Sequence, residues 1–431
     1  MQFPERFANL PDYAFPRLRA LLDGVAPGCA SLGIAEPILM SLGEPRHAQP
    51  PFLGEVLARH AAGYSVYPPN DGHPDLLAAI AGWLSRRFGV TRAADEIFPL
   101  NGTREGLFAA CVALCPERKA GARPVVLIPN PFYQCYAVAA LTAGAEPIYV
   151  PATAETGFLP DFAALPSALL ERAAVIYICS PANPQGAVAG PAYWRDLLAL
   201  AERHDIRIFA DECYSEIWRS APPMSILEAE HDPERVLAFH SLSKRSSLPG
   251  LRSGFVTGGR KAIAAMRQLR SYAGAPLPLP AQMAAAACWN DEAHVDASRA
   301  LYQEKYAIAD EILGNMPGYH APEAGFFLWI RVADDVAATQ RLWREAGVKV
   351  LPGSYLSRDG DPRLGIANPG AGYIRAALVA EPEAVRTGLT GLRAVLASDG
   401  SGDGSGDGSG DGSGDGPTDG SGDGSGTGVP A

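Results

Sequence analysis

In FHSLSKRSSLPGLRSGF, residues 239 to 255, one amine stands among hydroxyls: Lys244 lies between Ser241, Ser243 and Ser246, with Arg245 and Arg252 close behind. The chain has only five lysines, Lys119, Lys244, Lys261, Lys305 and Lys349, and otherwise uses arginine for positive charge. A lysine kept at the end of an apolar run points to chemistry that an amine alone can do. It can form a Schiff base with an aldehyde, whereas a guanidinium stays protonated and is a poor nucleophile. The same stretch also satisfies the S-x-x-K spacing of a serine nucleophile, Ser241 to Lys244. Penicillin-recognising enzymes add S-D-N and K-T-G elements, and neither string occurs here.

If the aldehyde is that of pyridoxal 5'-phosphate, three further groups are required. The ring nitrogen needs a carboxylate, the phosphate needs amides, hydroxyls and arginine, and the ring needs an aromatic face. Asp211 in IFADECY ends an apolar run, where an unpaired carboxylate is costly and a cationic partner is a natural requirement; capping of a helix is the alternative. LNGTREGLF places Gly102, Thr103 and Arg104 before an amphipathic stretch, an arrangement of free amides at the positive end of a helix dipole that suits an anion and also suits simple capping.

The elements that must position these residues are short apolar runs, PVVLIPN, AVIYICS, IRIFADE, RVLAFHS and SGFVTGG, alternating with helical patterns such as AYWRDLLALAERH. Buried, mostly parallel strands with crossover helices are expected, an α/β fold. In such open sheets a ligand sits beyond the carboxyl ends of the strands, so Asn130, Ser180, Asp211 and Ser241 should face one crevice. After about residue 281 long helical patterns precede GFFLWIRV, VKVLPGSYL and GYIRAALVA, the pattern of a smaller α+β lobe. The expected organisation is an N-terminal segment 1–45 packing with that lobe, a large domain 46–280, a small domain 281–397 and a Gly/Ser/Asp tail 398–431. The tail repeats every four residues and has almost nothing apolar to bury, so it is expected to remain disordered.

These motifs, in this order and spacing, resemble the class I, fold-type I pyridoxal-phosphate aminotransferases over residues 15 to 395. The resemblance implies that Lys244 carries the Schiff base, and that Ser241, three residues before it, Ser243 and Arg252, eight after it, join Gly102, Thr103 and Arg104 around the phosphate. It implies that Tyr133 of NPFY stacks on the ring, that Asn183 of SPANPQG and Tyr214 of DECY bond the phenolic oxygen, and that Asp211 meets the ring nitrogen. Tyr67 of YSVYP would reach the phosphate of a neighbouring subunit in a homodimer. Arg375 of GYIRAALV would clamp the substrate α-carboxylate, with Gly43 of SLGEP and Asn183 beside it. Gln185 departs from the threonine common in N-P-T-G. Within the class, the wording is most similar to the succinyldiaminopimelate aminotransferases. This implies amino transfer from glutamate to N-succinyl-2-amino-6-oxopimelate, and a second substrate-binding cation for which Arg46, Arg104 and Arg245 are candidates. Other class I aminotransferases, a carbon–sulfur β-lyase and a cofactor-binding regulator are the alternatives.

Composition narrows the setting. The chain has 431 residues, 47% hydrophobic and 19% charged, room for more than one core. Seven evenly spaced aspartates of the tail, beginning at Asp399, supply most of the net charge of −11, and no basic module suggests nucleic acid. Seven scattered cysteines without a C-x-x-C pair read as reduced thiols, and no metal set is visible. The lack of a signal-peptide pattern and of a long apolar span leads to the expectation of a cytoplasmic protein that contacts no membrane. His47, His73, His240, Phe326, Phe327 and Trp329 are expected to be structural, the last three as small-lobe core.

Overall fold

A computed structural model describes residues 5–8, 10, 12–360 and 367–397. The expected disordered tail lies outside the described residues. Strand β1 (Ile38–Leu39) lies near the N-terminus. Seven strands then build the main sheet: β2 (Ile97–Leu100), β3 (Val125–Asn130), β4 (Glu146–Pro151), β5 (Ala173–Cys179), β6 (Arg207–Asp211), β7 (Val236–Ser241) and β8 (Gly254–Gly258). Their order is β2-β8-β7-β6-β5-β3-β4. The fold is α/β, as expected from the alternation of apolar runs and helical spacers.

The alternation of side chains along each strand feeds two cores. Ile208 and Ala210 of β6 pack with the helices Pro74–Phe88, Pro191–Arg203 and Leu279–Asn290, while Phe209 between them packs with Thr103–Leu114, Gln134–Thr142 and Arg260–Ala273. The sheet is therefore sandwiched between helices, which is why its strands read as continuous apolar runs. The Pro74–Phe88 helix illustrates the local logic. Pro74 needs no N–H in the first turn, the His73 side chain accepts from the Asp75 amide, and Gly89 ends the helix at φ 68°. Its Leu76, Ala79, Ile80, Trp83, Leu84 and Phe88 recur at helical spacing and are all buried.

The sheet departs from a wholly parallel pattern at β8, which runs antiparallel to both β7 and β2. The chain between β7 and β8, residues 242–253, holds only the short helix Leu242–Arg245 and the turn Pro249–Leu251, with no crossover helix to carry it back to the starting edge. The edge strands β2 and β4 were not anticipated from sequence, because Pro99, Pro147 and Pro151 interrupt them. Edge positions tolerate the missing amides.

A second sheet holds β9 (Phe327–Arg331), β11 (Leu351–Pro352) and β12 (Tyr373–Ala377), antiparallel in the order β11-β12-β9, while β10 (Val348–Lys349) pairs in parallel with β1. Ile38 and Met40 of the N-terminal segment are buried in this smaller core. The helix Leu279–Asn290, which sequence patterning places at the start of the small lobe, instead buries Ala284, Ala285, Cys288 and Trp289 in the core of the large sheet. Its apolar residues have no single helical face, so their spacing could not show which lobe they serve.

The junction of β7 and β8 leaves no room for a side chain at Gly254. A Cβ there would lie 2.6 Å from the His240 carbonyl oxygen and 3.4 Å from Ser241 Cα. Gly254→Ala should force the strands apart next to Ser241, costing about 1–3 kcal/mol and lowering the unfolding temperature measured by calorimetry.

Candidate active site

Six strands of the main sheet point their carboxyl ends the same way, and the candidate residues follow those ends. Thr103 and Arg104 open the helix after β2, and Tyr133 stands just before the helix that follows β3. Asn183 follows β5, Asp211 and Tyr214 end and follow β6, and Lys244 sits in the short helix Leu242–Arg245 after β7. With Gly43, Ser241, Ser243, Arg252 and Arg375 they line one cavity of about 450 Å³.

Lys244 Nζ donates to the Gly43 carbonyl at 2.5 Å and lies over the Phe326 ring at 5.1 Å. Burial lowers its pKa from 10.5 to about 8; the nearby Cys213 opposes this shift and the Arg375 charge adds to it. The amine is thus poised between a proton carrier and a nucleophile near neutral pH.

Asp211 is only 4% exposed, and no ion pair holds it among the described residues. Its oxygens instead accept from Tyr136 Oη at 2.8 Å and from Cys213 Sγ at 2.9 Å. Burial raises its pKa, against the pull of these donors and of Lys244. A carboxylate held in this way would gain from a cation delivered into the cavity.

Ser241 Oγ accepts from the Ser243 amide at 3.1 Å, shaping the turn into the lysine helix. Arg252, at φ 54°, is held by the carbonyls of Pro249 at 2.8 Å and Asn101 at 3.2 Å. Its guanidinium presses on Gly102, where a Cβ would meet Nη2 at 2.3 Å. Gly102 (φ 82°) therefore admits the arginine to the start of the Thr103–Leu114 helix, joining a cation to free helix amides.

Arg375, 5% exposed, comes from β12 of the small sheet. It donates to Asn183 Oδ1 at 3.1 Å and to the Ser41 carbonyl at 2.8 Å, while its Nε is buried without a partner among the described residues. Asn183 Nδ2 in turn approaches Tyr214 Oη at 3.3 Å. One amide thus couples the buried Arg375 guanidinium to the phenol beside the lysine.

The chain matches the family described as aminotransferase class I and II over residues 35–380. The chain belongs to this family. The aminotransferase is 33% identical over 403 residues to the LL-diaminopimelate aminotransferase of Dehalococcoides mccartyi, covering 91% of this chain and 98% of that protein. It is 32% identical over 402 residues to the LL-diaminopimelate aminotransferase of Syntrophobacter fumaroxidans, covering 90% and 97%. Its fold matches an aminotransferase from Neisseria meningitidis with TM-score 0.85 at 34% identity, covering 91% of this chain and all of that one. It also matches the aminotransferase AspB from Helicobacter pylori with TM-score 0.81 at 30% identity, covering 92% of this chain and 100% of that one.

Aminotransferases of this family use pyridoxal 5'-phosphate, and the site fits it. Asp211 makes no ion pair among the described residues, Gly102 opens the space that Arg252 fills beside the helix amides, and Lys244 carries a buried amine. Tyr67 is exposed and does not line the cavity of its own chain, which leaves its expected role towards a neighbouring chain untested by these contacts. One sequence expectation needs amendment. Phe327 is core, as expected, but it also walls the cavity, where the Arg375 guanidinium lies 4.2 Å from its ring centroid. Tyr136 and Cys213 were missed. Nothing in sequence distinguishes a core tyrosine or thiol from one aimed at a carboxylate.

Because only the free amine attacks an aldehyde, the rate at which the protein without cofactor takes up pyridoxal phosphate, followed by visible absorbance, should rise through about pH 8. Lys244→Ala should abolish the band and lower transamination by about 10²–10⁴-fold or more.

Proposed function

We propose that this aminotransferase moves an amino group from glutamate to the 6-oxo acid that corresponds to one end of LL-diaminopimelate, releasing 2-oxoglutarate and LL-diaminopimelate, a reaction of diaminopimelate and lysine biosynthesis. The observation that carries this reading is a second cation in the cavity. Of the three candidates, Arg245 is buried elsewhere, bonded to the carbonyls of Cys288 at 2.7 Å and Asp291 at 3.2 Å and to Glu292 at 2.8 Å. Arg46 is exposed and does not line the cavity. Arg104 does line it, its Nε donating to Tyr133 Oη and its guanidinium standing over the Tyr133 ring at 5.7 Å. With Arg375 on the α-carboxylate, Arg104 is the cation for a distal carboxylate, which both glutamate and diaminopimelate possess.

Glu44 also lines the cavity and lies close enough to Lys244 to favour its charge. A carboxylate there suits the free distal ammonium of LL-diaminopimelate. It opposes the third carboxylate of the N-succinyl compound, the substrate that sequence wording suggests. The names of the curated relatives support the same choice.

When bound, pyridoxal phosphate supplies the aldehyde and the electron-withdrawing ring that make the substrate Cα–H acidic. Lys244 Nζ is the base that removes and returns the Cα proton. Asp211 keeps a negative charge facing the ring nitrogen. Arg375, steered by Asn183 and Ser41, fixes the carboxylate so that the Cα–H bond, and not the bond to the carboxylate, is the one aligned to break.

The subunit is proposed to work as a homodimer. Tyr64 (64% exposed), Val66 and Tyr67 form an exposed apolar run, and exposed Tyr272 adjoins it through the Asn70–Ser271 hydrogen bond of 3.1 Å. A second copy covering this patch would bring Tyr67 towards the neighbouring site.

Arg104→Gln should raise KM about tenfold or more for glutamate and LL-diaminopimelate while leaving a neutral donor such as alanine within about twofold. Steady-state assays of LL-diaminopimelate against its N-succinyl derivative test the substrate itself. A clear preference for the succinylated compound would sink the reading and restore the alternative.

A further inference from the structure

We propose that Cys213 and Tyr136 are positioning residues for the reaction, two uncharged donors that fix both oxygens of Asp211 and keep its charge directed into the cavity. The inference rests on the assignment of Asp211 to the ring nitrogen.

The geometry is specific to each oxygen. Tyr136 Oη donates to Oδ2 at 2.8 Å; Cys213 Sγ donates to Oδ1 at 2.9 Å, with the Cys213 amide 3.4 Å from the same atom. The hydroxyl is aimed by packing. The Tyr136 ring stacks on Tyr177 at 4.5 Å and 12°, and Tyr177 Oη is anchored to the Leu107 carbonyl at 2.7 Å. The thiol is aimed by the backbone, since Cys213 lies two residues after the last strand position of β6. Both residues line the cavity.

The chemistry of the donors matters as much as their placement. Burial pushes the Tyr136 phenol and the Cys213 thiol well above their ordinary values, and the neighbouring Asp211 charge adds to this. Both stay protonated wherever Asp211 titrates, so both remain donors. An arginine or lysine in their place would hold the carboxylate more strongly, but would also neutralise it and compete with a protonated ring. Neutral donors stabilise the charge and leave it available. The other titratable groups around Asp211 do not replace them. Tyr133 and Cys135 stand at the start of the Gln134–Thr142 helix, and Cys179 of β5 is the register partner of Asp211. Tyr214 follows in the chain, with burial as the main cause of its raised pKa. Lys244, the only cation facing Asp211 among these groups, makes its hydrogen bond to Gly43.

The test uses the cofactor-loaded protein with Cys213→Ala, Cys213→Ser, Tyr136→Phe and, as reference, Asp211→Asn. The readouts are the dissociation constant of pyridoxal phosphate, the pH dependence of the visible absorbance, and kcat and KM for glutamate. Cys213→Ala and Tyr136→Phe should each lower kcat about 5–20-fold with KM within about twofold, and weaken cofactor binding several-fold. A carboxylate that loses a donor takes its proton at higher pH, so the acid limb of the kcat profile should move up by about 0.5–1 pH unit. Cys213→Ser, which keeps a donor at nearly the same place, should restore at least about half of the change.

Wild-type cofactor affinity and acid limb in Cys213→Ala and Tyr136→Phe would overturn the proposal. So would a Cys213→Ser variant as impaired as Cys213→Ala, which would mean that thiol packing alone matters. If Asp211→Asn also leaves affinity and acid limb unchanged, the assignment of Asp211 itself falls. That outcome is distinct from a failed clamp, in which Asp211→Asn is impaired and the donor variants are not.

Discussion

A carboxylate buried at the end of a central strand cannot keep its charge without compensation, and the site is arranged around that constraint. Asp211 ends β6, between β5 and β7 in the main sheet, so its neighbours are fixed by strand register and not by loop geometry. Tyr136 and Cys213 give it hydrogen bonds without positive charge, leaving the electrostatic demand directed into the cavity. Lys244, one strand away, feels the same low-polarity surroundings. Burial that raises the acid's pKa lowers the amine's, and the two shifts bring an acid and a base towards the same working range.

The second constraint is the joining of two sheets. Arg375 belongs to the small sheet, yet its guanidinium is held by Asn183 after β5 of the large one and by Ser41 of the N-terminal segment. That segment is itself fixed to the small sheet, where the Ala377 amide donates to the Met40 carbonyl at 2.7 Å. Three residues after Met40, Gly43 meets the lysine. A Cβ at Gly43 would come within 2.4 Å of the Phe327 ring, so the backbone approaches the small sheet only because the side chain is absent. Arg375, Lys244 and the N-terminal segment are therefore mechanically one assembly.

Part of this site was legible in the sequence because its chemistry demands particular residue types at strand ends. An amine and a carboxylate after apolar runs, Lys244 and Asp211, are conspicuous, the motif resemblance added Asn183, Tyr214 and Arg375, and all five residues line the cavity. Residues that act through ordinary packing were not legible. Phe327 sits in an apolar strand like any core residue, and Tyr136 lies in a helix of small apolar residues. The edge strands β2 and β4 were hidden by prolines that only an edge position permits. The helix Leu279–Asn290, apolar on every side, could have served either lobe.

The sequence by itself determined the fold class and the nature of the chemistry, through short continuous apolar runs, the helical spacing of their spacers, and an amine and a carboxylate where such runs end; the motif resemblance implied most of the other groups. Only the tertiary structure decided which of the three candidate arginines lines the cavity, that Phe327 walls it, and that a thiol and a phenol hold Asp211. Those facts depend on which distant segments share a register or a packing surface. That is set by the balance of burial across the whole core, and no local spacing encodes it.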